Sequence, residues 1–178
     1  MKLSSPALDD AHALKCEMAA EVLHAKGTIR LQVTGWSMLP SVWPGDTLVI
    51  ESVDAAAVSE GDVVLFGRDR RLFVHRVIAK SRHFTDFSVV TRGDAMPAAD
   101  APVSDHELLG KVSSILRGGR PIEPSRRLRL SQRAIAAVIR RSEIAARVVV
   151  GMHGLREALL RPTLRETHPR NREVACQN

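Results

Sequence analysis

Between Thr28 and Ile122 the chain is a succession of short apolar segments cut by glycine-bearing turns. IRLQV (29–33) alternates apolar and polar residues, the period of a half-buried strand. A turn-rich stretch follows, GWSMLPSVWPGD (35–46), and then the strand signal DTLVIESV (46–53). EGDVVLFGR (60–68) reads as a Gly-Asp turn and a strand. RRLFVHRVIAKS (70–81) and FSVVTRG (87–93) read as two more. The loop DAMPAADAPVS (94–104) leads to GKVSSILRGGRPI (110–122), a last strand and its turn. Six or seven strands of this length, with turns between them, predict a compact, mainly β domain over 29–122.

The flanks have a different texture. Residues 7–26 predict a helix: Leu14, Met18, Val22 and Leu23 recur at helical spacing, Pro6 suits the start and Gly27 the stop, giving an N-terminal unit over 1–28. Helical periodicity returns over 128–161. There Ile135, Val138, Ile139, Ala145, Val149 and Met152 fall near one face and Arg133, Arg140 and Arg147 on another. This is an amphipathic helix, or two broken near Gly151 and Gly154. The polar stretch after Pro162 is expected to be disordered. Residues 123–178 therefore read as an Arg-rich helical appendage with a tail.

Charge divides the chain in the same way. Residues 1–116 carry a net −3, whereas residues 117–178 hold 14 Arg, no Lys and 5 Glu, a net +9. Such an appendage suits an acidic partner, and an amphipathic basic helix suits an anionic membrane surface in particular. All six aromatic residues lie between Trp36 and Phe87, none of them in the basic part. Stacking on single-stranded nucleic acid needs aromatics in a basic setting, so nucleic acid is not the expected partner.

Cys16 and Cys176 form no CxxC and no metal-ligand spacing, which fits a reducing compartment. The N-terminus has acids where the apolar core of a signal peptide would lie, and no run approaches the ~20 apolar residues of a spanning helix. A cytoplasmic or peripheral-membrane location is expected. The histidines show no metal-ligand pattern, and no phosphate-binding glycine motif is present. No metal and no cofactor are expected.

Four residues can carry chemistry. Ser37 sits where a strand gives way to a turn, so its hydroxyl can be exposed and neighbouring amides can converge on one spot. A serine nucleophile needs a base. His75, flanked by Val74 and Arg76 in an alternating strand, is the candidate. The base in turn needs an orienting acid, and Asp94 and Asp100, six residues apart in one loop, can both reach back. Taken singly, each of the four is better explained as a local cap or a satisfied polar group.

Their order along the chain is more specific. GWSMLPSVWPGDTLVI (35–50) resembles the nucleophile box of signal peptidase I and of the self-cleaving LexA-type repressors that share its fold. In that superfamily a Ser is followed by Met-x-Pro, then Gly-Asp and a strand. Here these are Ser37, Met38, Pro40, Gly45 and Asp46. EGDVVLF (60–66) resembles the second Gly-Asp strand, HRV (75–77) falls at the general base, and GKV (110–112) resembles the closing strand. Histidine at the base position is similar to the archaeal, endoplasmic-reticulum and sporulation-type signal peptidases. TRGDAMPAAD (91–100) resembles the acid box of that branch, with Asp100 in the catalytic place and Asp94 opening the box.

The resemblance covers about 29–117 and implies the signal-peptidase/LexA-like fold. It implies a serine endopeptidase in which Ser37 attacks, His75 is the base, Asp100 holds the imidazole, and Asp94 orients Asp100 or the loop. The implied substrate is an extended peptide or preprotein with small residues beside the cleaved bond. Three features depart from the pattern: the chain shows no membrane anchor, residues 1–27 hold one helix rather than a DNA-binding helix-turn-helix, and the Arg-rich C-terminal helix is not part of the common pattern. Two alternatives therefore stay open. One is a peptide-binding module without turnover, and the other is a nucleic-acid-associated regulator acting through 117–172.

Overall fold

The computed structural model describes residues 6–83 and 86–141, and the expectations for residues 142–178 lie outside that range. Helix α1 (Pro6–Lys26) opens the chain. It has Pro at its first position, where a missing N–H costs nothing. It stops at Gly27, whose φ of 69° is left-handed and whose N–H donates to the Leu23 carbonyl.

Eight strands follow: β1 (Thr28–Gln32), β2 (Thr47–Glu51), β3 (Val63–Arg68), β4 (Arg71–His83), β5 (Asp86–Arg92), β6 (Val103–Ser104), β7 (Leu108–Arg117) and β8 (Arg120–Ile122). They form one antiparallel sheet in the order β1-β2-β7-β3-β4-β5-β6, with β8 on β7. Helix α2 (Leu130–Arg141) comes last.

The sheet is buried on both faces at its centre. Strand β3 shows why: Val63 and Leu65 join one apolar cluster while Val64 and Phe66 join another. The first cluster adds Leu48, Ile50, Val112 and Ile115, with Leu23 from α1. The second adds Val77, Val89 and Val103. Each such fully buried side chain contributes roughly 1.5–3 kcal/mol relative to exposure. The sheet is therefore a rigid frame, and the loops at its edge are what it positions.

The two helices dock differently from the sequence expectation. Helix α1 buries Ala13, Ala19 and Leu23 against the sheet and leaves Leu14 and Met18 more than half exposed. Small alanines let the helix approach closely, so the larger apolar residues turn to the side. Helix α2 is not a free appendage: Ala136 and Ile139 are buried, and Ile139 packs on Leu39 and Ala95. Among the described residues no helix is long and apolar enough to cross a membrane.

Candidate active site

Ser37 lies in a loop pinned at both ends. At its base Val33 N–H donates to the Asp46 carbonyl and Gly45 N–H to the Val33 carbonyl, each at 2.8 Å. Within it, Met38, Leu39 and Val42 are buried, and the Ser41 and Val42 amides close a turn on the Met38 carbonyl. Three apolar anchors in five residues leave the loop little freedom, and Ser37 stands half-buried at its rim. That placement suits a side chain meant to be held and yet reached.

His75 is on β4, opposite Val64 of β3, and is 6% exposed. Its ring packs beside the stacked pair Phe66 and Phe73, 6.0 and 6.1 Å from their centroids. Nδ1 is 2.6 Å from Asp100 Oδ2 and Nε2 is 3.1 Å from Ser37 Oγ. An ionised carboxylate only accepts, so in the neutral ring Nδ1 carries the proton and Nε2 presents its lone pair to the serine hydroxyl. Asp100 is fixed in turn: the Thr91 hydroxyl donates to Oδ2 at 2.7 Å and the Asp100 amide to the Thr91 carbonyl at 2.8 Å. Thr91 is fully buried and rigid on β5. Three residues spread over 64 positions of chain thus form one hydrogen-bonded series.

Asp94 is not part of that series. Its carboxylate takes a two-pronged bond from Arg76, Nε to Oδ1 and Nη2 to Oδ2, both 2.8 Å. It also accepts from the Ser41 hydroxyl. The structure thus brings Ser37, His75 and Asp100 together and sets Asp94 on a separate network. Of the two expectations for Asp94, it supports the loop and makes no bond to Asp100. Arg76 is the residue that sequence reasoning passed over. It is only 8% exposed, and its remaining N–H groups donate to the carbonyls of Gly61 and Ser125. The available signal was an arginine between the histidine and the apolar Val77 and Ile78.

The other two Gly-Asp pairs are built alike. Asp46 takes a two-pronged bond from Arg117, and Asp62 accepts from Arg126 at 2.9 Å. Burying a carboxylate is costly unless it is paired and hydrogen-bonded. Each of these three buried aspartates meets an arginine, which ties a turn to a distant segment.

Beside Ser37 and His75 opens a cleft of about 730 Å³. Its sides are β1 with residues 33–35 and the first half of β4, its floor includes Leu48 and Leu65, and α1 adds Met18, Ala19 and Val22. β1 pairs with β2 alone, and β4 meets β5 only from Arg76 onward. Two strand edges therefore flank the cleft without a neighbour on that side among the described residues. No cluster of His, Cys, Asp or Glu among the described residues is arranged to hold a metal.

A mainly β domain with a serine, a histidine and an aspartate in hydrogen-bonded series beside a cleft has the layout of a serine hydrolase. The sequence pattern of the Peptidase S24-like family matches residues 3–113, more than half of the chain, and the chain belongs to that family. It falls within the LexA and signal peptidase I-like superfamily, which includes serine proteases. Among curated proteins, none matches the chain.

Proposed function

We propose that the protein is a serine endopeptidase that cleaves an extended peptide. The observation that carries this reading is the unbroken series Ser37 Oγ, His75 Nε2, His75 Nδ1, Asp100 Oδ2, at 3.1 and 2.6 Å. In the reaction, His75 Nε2 takes the proton of the Ser37 hydroxyl as Oγ attacks the peptide carbonyl. Asp100 holds the ring and stabilises the imidazolium. The Ser37 amide stabilises the oxyanion. His75 then returns the proton to the leaving amine, and water releases the acyl group by the same path in reverse.

The cleft supports the substrate class. A peptide strand laid along β1 and the first half of β4 gains main-chain hydrogen bonds, and small side chains suit the space left by Met18, Ala19 and Val22. Histidine at position 75 aligns the reading with the His-type signal peptidases, and a preprotein is the natural substrate of that branch. Hydrolysis of a peptide library by the purified chain tests the activity. Ser37→Ala is expected to lower the rate on the order of 10³-fold or more while the protein stays folded. Equal cleavage by the variant contradicts the reading, and tight peptide binding by the wild type without cleavage would favour a binding module instead.

The same proposal extends to a peripheral contact with anionic membrane. Helix α2 leaves Leu130, Ile135 and Val138 exposed beside Arg127, Arg129 and Arg133. An apolar face with basic flanks lies well in a headgroup layer, where each cation adds about 1 kcal/mol. Co-sedimentation with phosphatidylserine vesicles, but not with neutral phosphatidylcholine vesicles, is expected. Equal behaviour with both contradicts it.

A further inference from the structure

Helix α2 lies beyond the residues matched by the family pattern, yet it reaches the loops that carry the site. The contact centres on one peptide group, that between Asp94 and Ala95. Its carbonyl accepts from Arg140, at 2.8 Å from Nη2 and 3.1 Å from Nε. Its N–H, from Ala95, donates to the carbonyl of Ser37 at 2.8 Å. So a single peptide plane joins the guanidinium of α2 to the backbone of the serine.

Two further observations make this a clamp. Gly93 lies so close to the serine that a Cβ there would sit 2.7 Å from the Ser37 carbonyl oxygen and 3.1 Å from its Cβ. Ile139, one residue before Arg140, is buried with Leu39 and Ala95, so the helix grips both loops at once. Asp94 is also held from the other side, where Arg76 follows His75 on β4. A charged donor on the carbonyl polarises the peptide and strengthens the bond its N–H makes to Ser37.

We propose that Arg140 is a positioning residue for the nucleophile: acting through the Asp94–Ala95 peptide, it sets the placement of Ser37 against His75. The inference rests on the peptidase reading for its effect on rate, but not for its structural content. Removing the guanidinium frees the carbonyl end of the plane, loosens the Ala95-to-Ser37 bond and lets Oγ drift from Nε2. Substrate binding in the cleft is untouched, because Arg140 is not among the residues that line it.

Two measurements on the full chain test this, with Arg120→Ala as the control for losing an exposed arginine. The first is hydrogen exchange of the Ala95 amide, followed by NMR. Exchange is expected to be at least about tenfold faster in Arg140→Ala, part-way restored in Arg140→Lys and unchanged in the control. The second is peptide hydrolysis. A misplaced serine lowers kcat roughly tenfold to a hundredfold with KM unchanged, and Arg140→Lys recovers part of it.

Unchanged Ala95 exchange in Arg140→Ala overturns the proposal whether or not the protein is an enzyme. So does full kcat in Arg140→Ala of an active wild type. Faster exchange in Arg140→Ala, alongside a wild type that hydrolyses nothing, upholds the clamp and sinks the peptidase reading alone.

Discussion

The loop from Thr91 to Asp100 has an aspartate near each end, and the two ends are built on opposite terms. At the Asp94 end the carboxylate is 3% exposed, faces a guanidinium and accepts a serine hydroxyl. At the Asp100 end the carboxylate is 27% exposed and is bonded to an imidazole and a threonine hydroxyl. A permanent charge pair, fully enclosed, holds a shape. A carboxylate left partly in solvent, against the imidazole proposed as the base, is free to respond to a reaction. On the proposed mechanism, one loop thus divides anchoring from chemistry between two chemically identical side chains.

The largest expected effect breaks this comparison at the Asp100 end. Asp100→Asn keeps the size but presents the ring with an amide, which favours the wrong tautomer. It is expected to lower kcat on the order of 10⁴-fold with little change in Tm. Peptide hydrolysis and calorimetry on the same sample read both. A large fall in Tm with kcat preserved would exchange the two roles.

Asp94→Asn addresses the other end. It leaves Arg76 buried without its counter-charge, at a cost of roughly 3–5 kcal/mol. In a chain of this size that lowers Tm by about 10 °C. The loss of kcat is expected to be smaller than in Asp100→Asn when both are measured well below Tm. An unchanged Tm would show that the Arg76 network is not an anchor.

The smallest effect sharpens the comparison just beyond Asp100. Arg68 donates to both oxygens of Glu107 and to the carbonyls of Ala101 and Pro102, fixing the chain that leaves the site. The Arg68 hydrogen bond holds the Glu107 carboxyl down at about 2. A lowered carboxyl contributes stability that is fully present above its unfolded pKa near ~4.3 and is lost as pH falls towards about 2. Tm measured across pH 5 to 2 is therefore expected to fall less steeply in Glu107→Gln. Identical slopes would show that the clamp contributes nothing. Solvent screening at this partly exposed pair keeps that contribution small even at neutral pH, where it is fully present.

Much of this frame was legible in the sequence. The apolar runs, alternating or continuous, and the glycine turns between them mark β1 to β5 and β7, because each is long enough to stand out from its loops. Strand β6 escaped, since Val103 and Ser104 alone have no period and read as part of the loop. The position of β7 between β2 and β3 is a long-range pairing that no local pattern encodes.

At the site, the serine box and the strand histidine were visible as motifs. The two aspartates were not separable from the residues alone, because they differ only in tertiary partners. Arg76 entered the sequence reading only as a neighbour of His75, since nothing local says that its guanidinium is buried against Asp94. The periodicity of α2 announced a helix, but an apolar face does not say what covers it. Only the structure places Ile139 and Arg140 on the serine and acid loops.

The most direct test of the central claim is covalent labelling of Ser37. The full chain is treated with a serine-reactive organophosphorus reagent, followed by intact-mass measurement and peptide mapping. One adduct, on Ser37, is expected in the wild type, forming at least about 10³-fold more slowly in His75→Ala. An unlabelled Ser37, or labelling just as fast without His75, would contradict the serine–histidine–aspartate account.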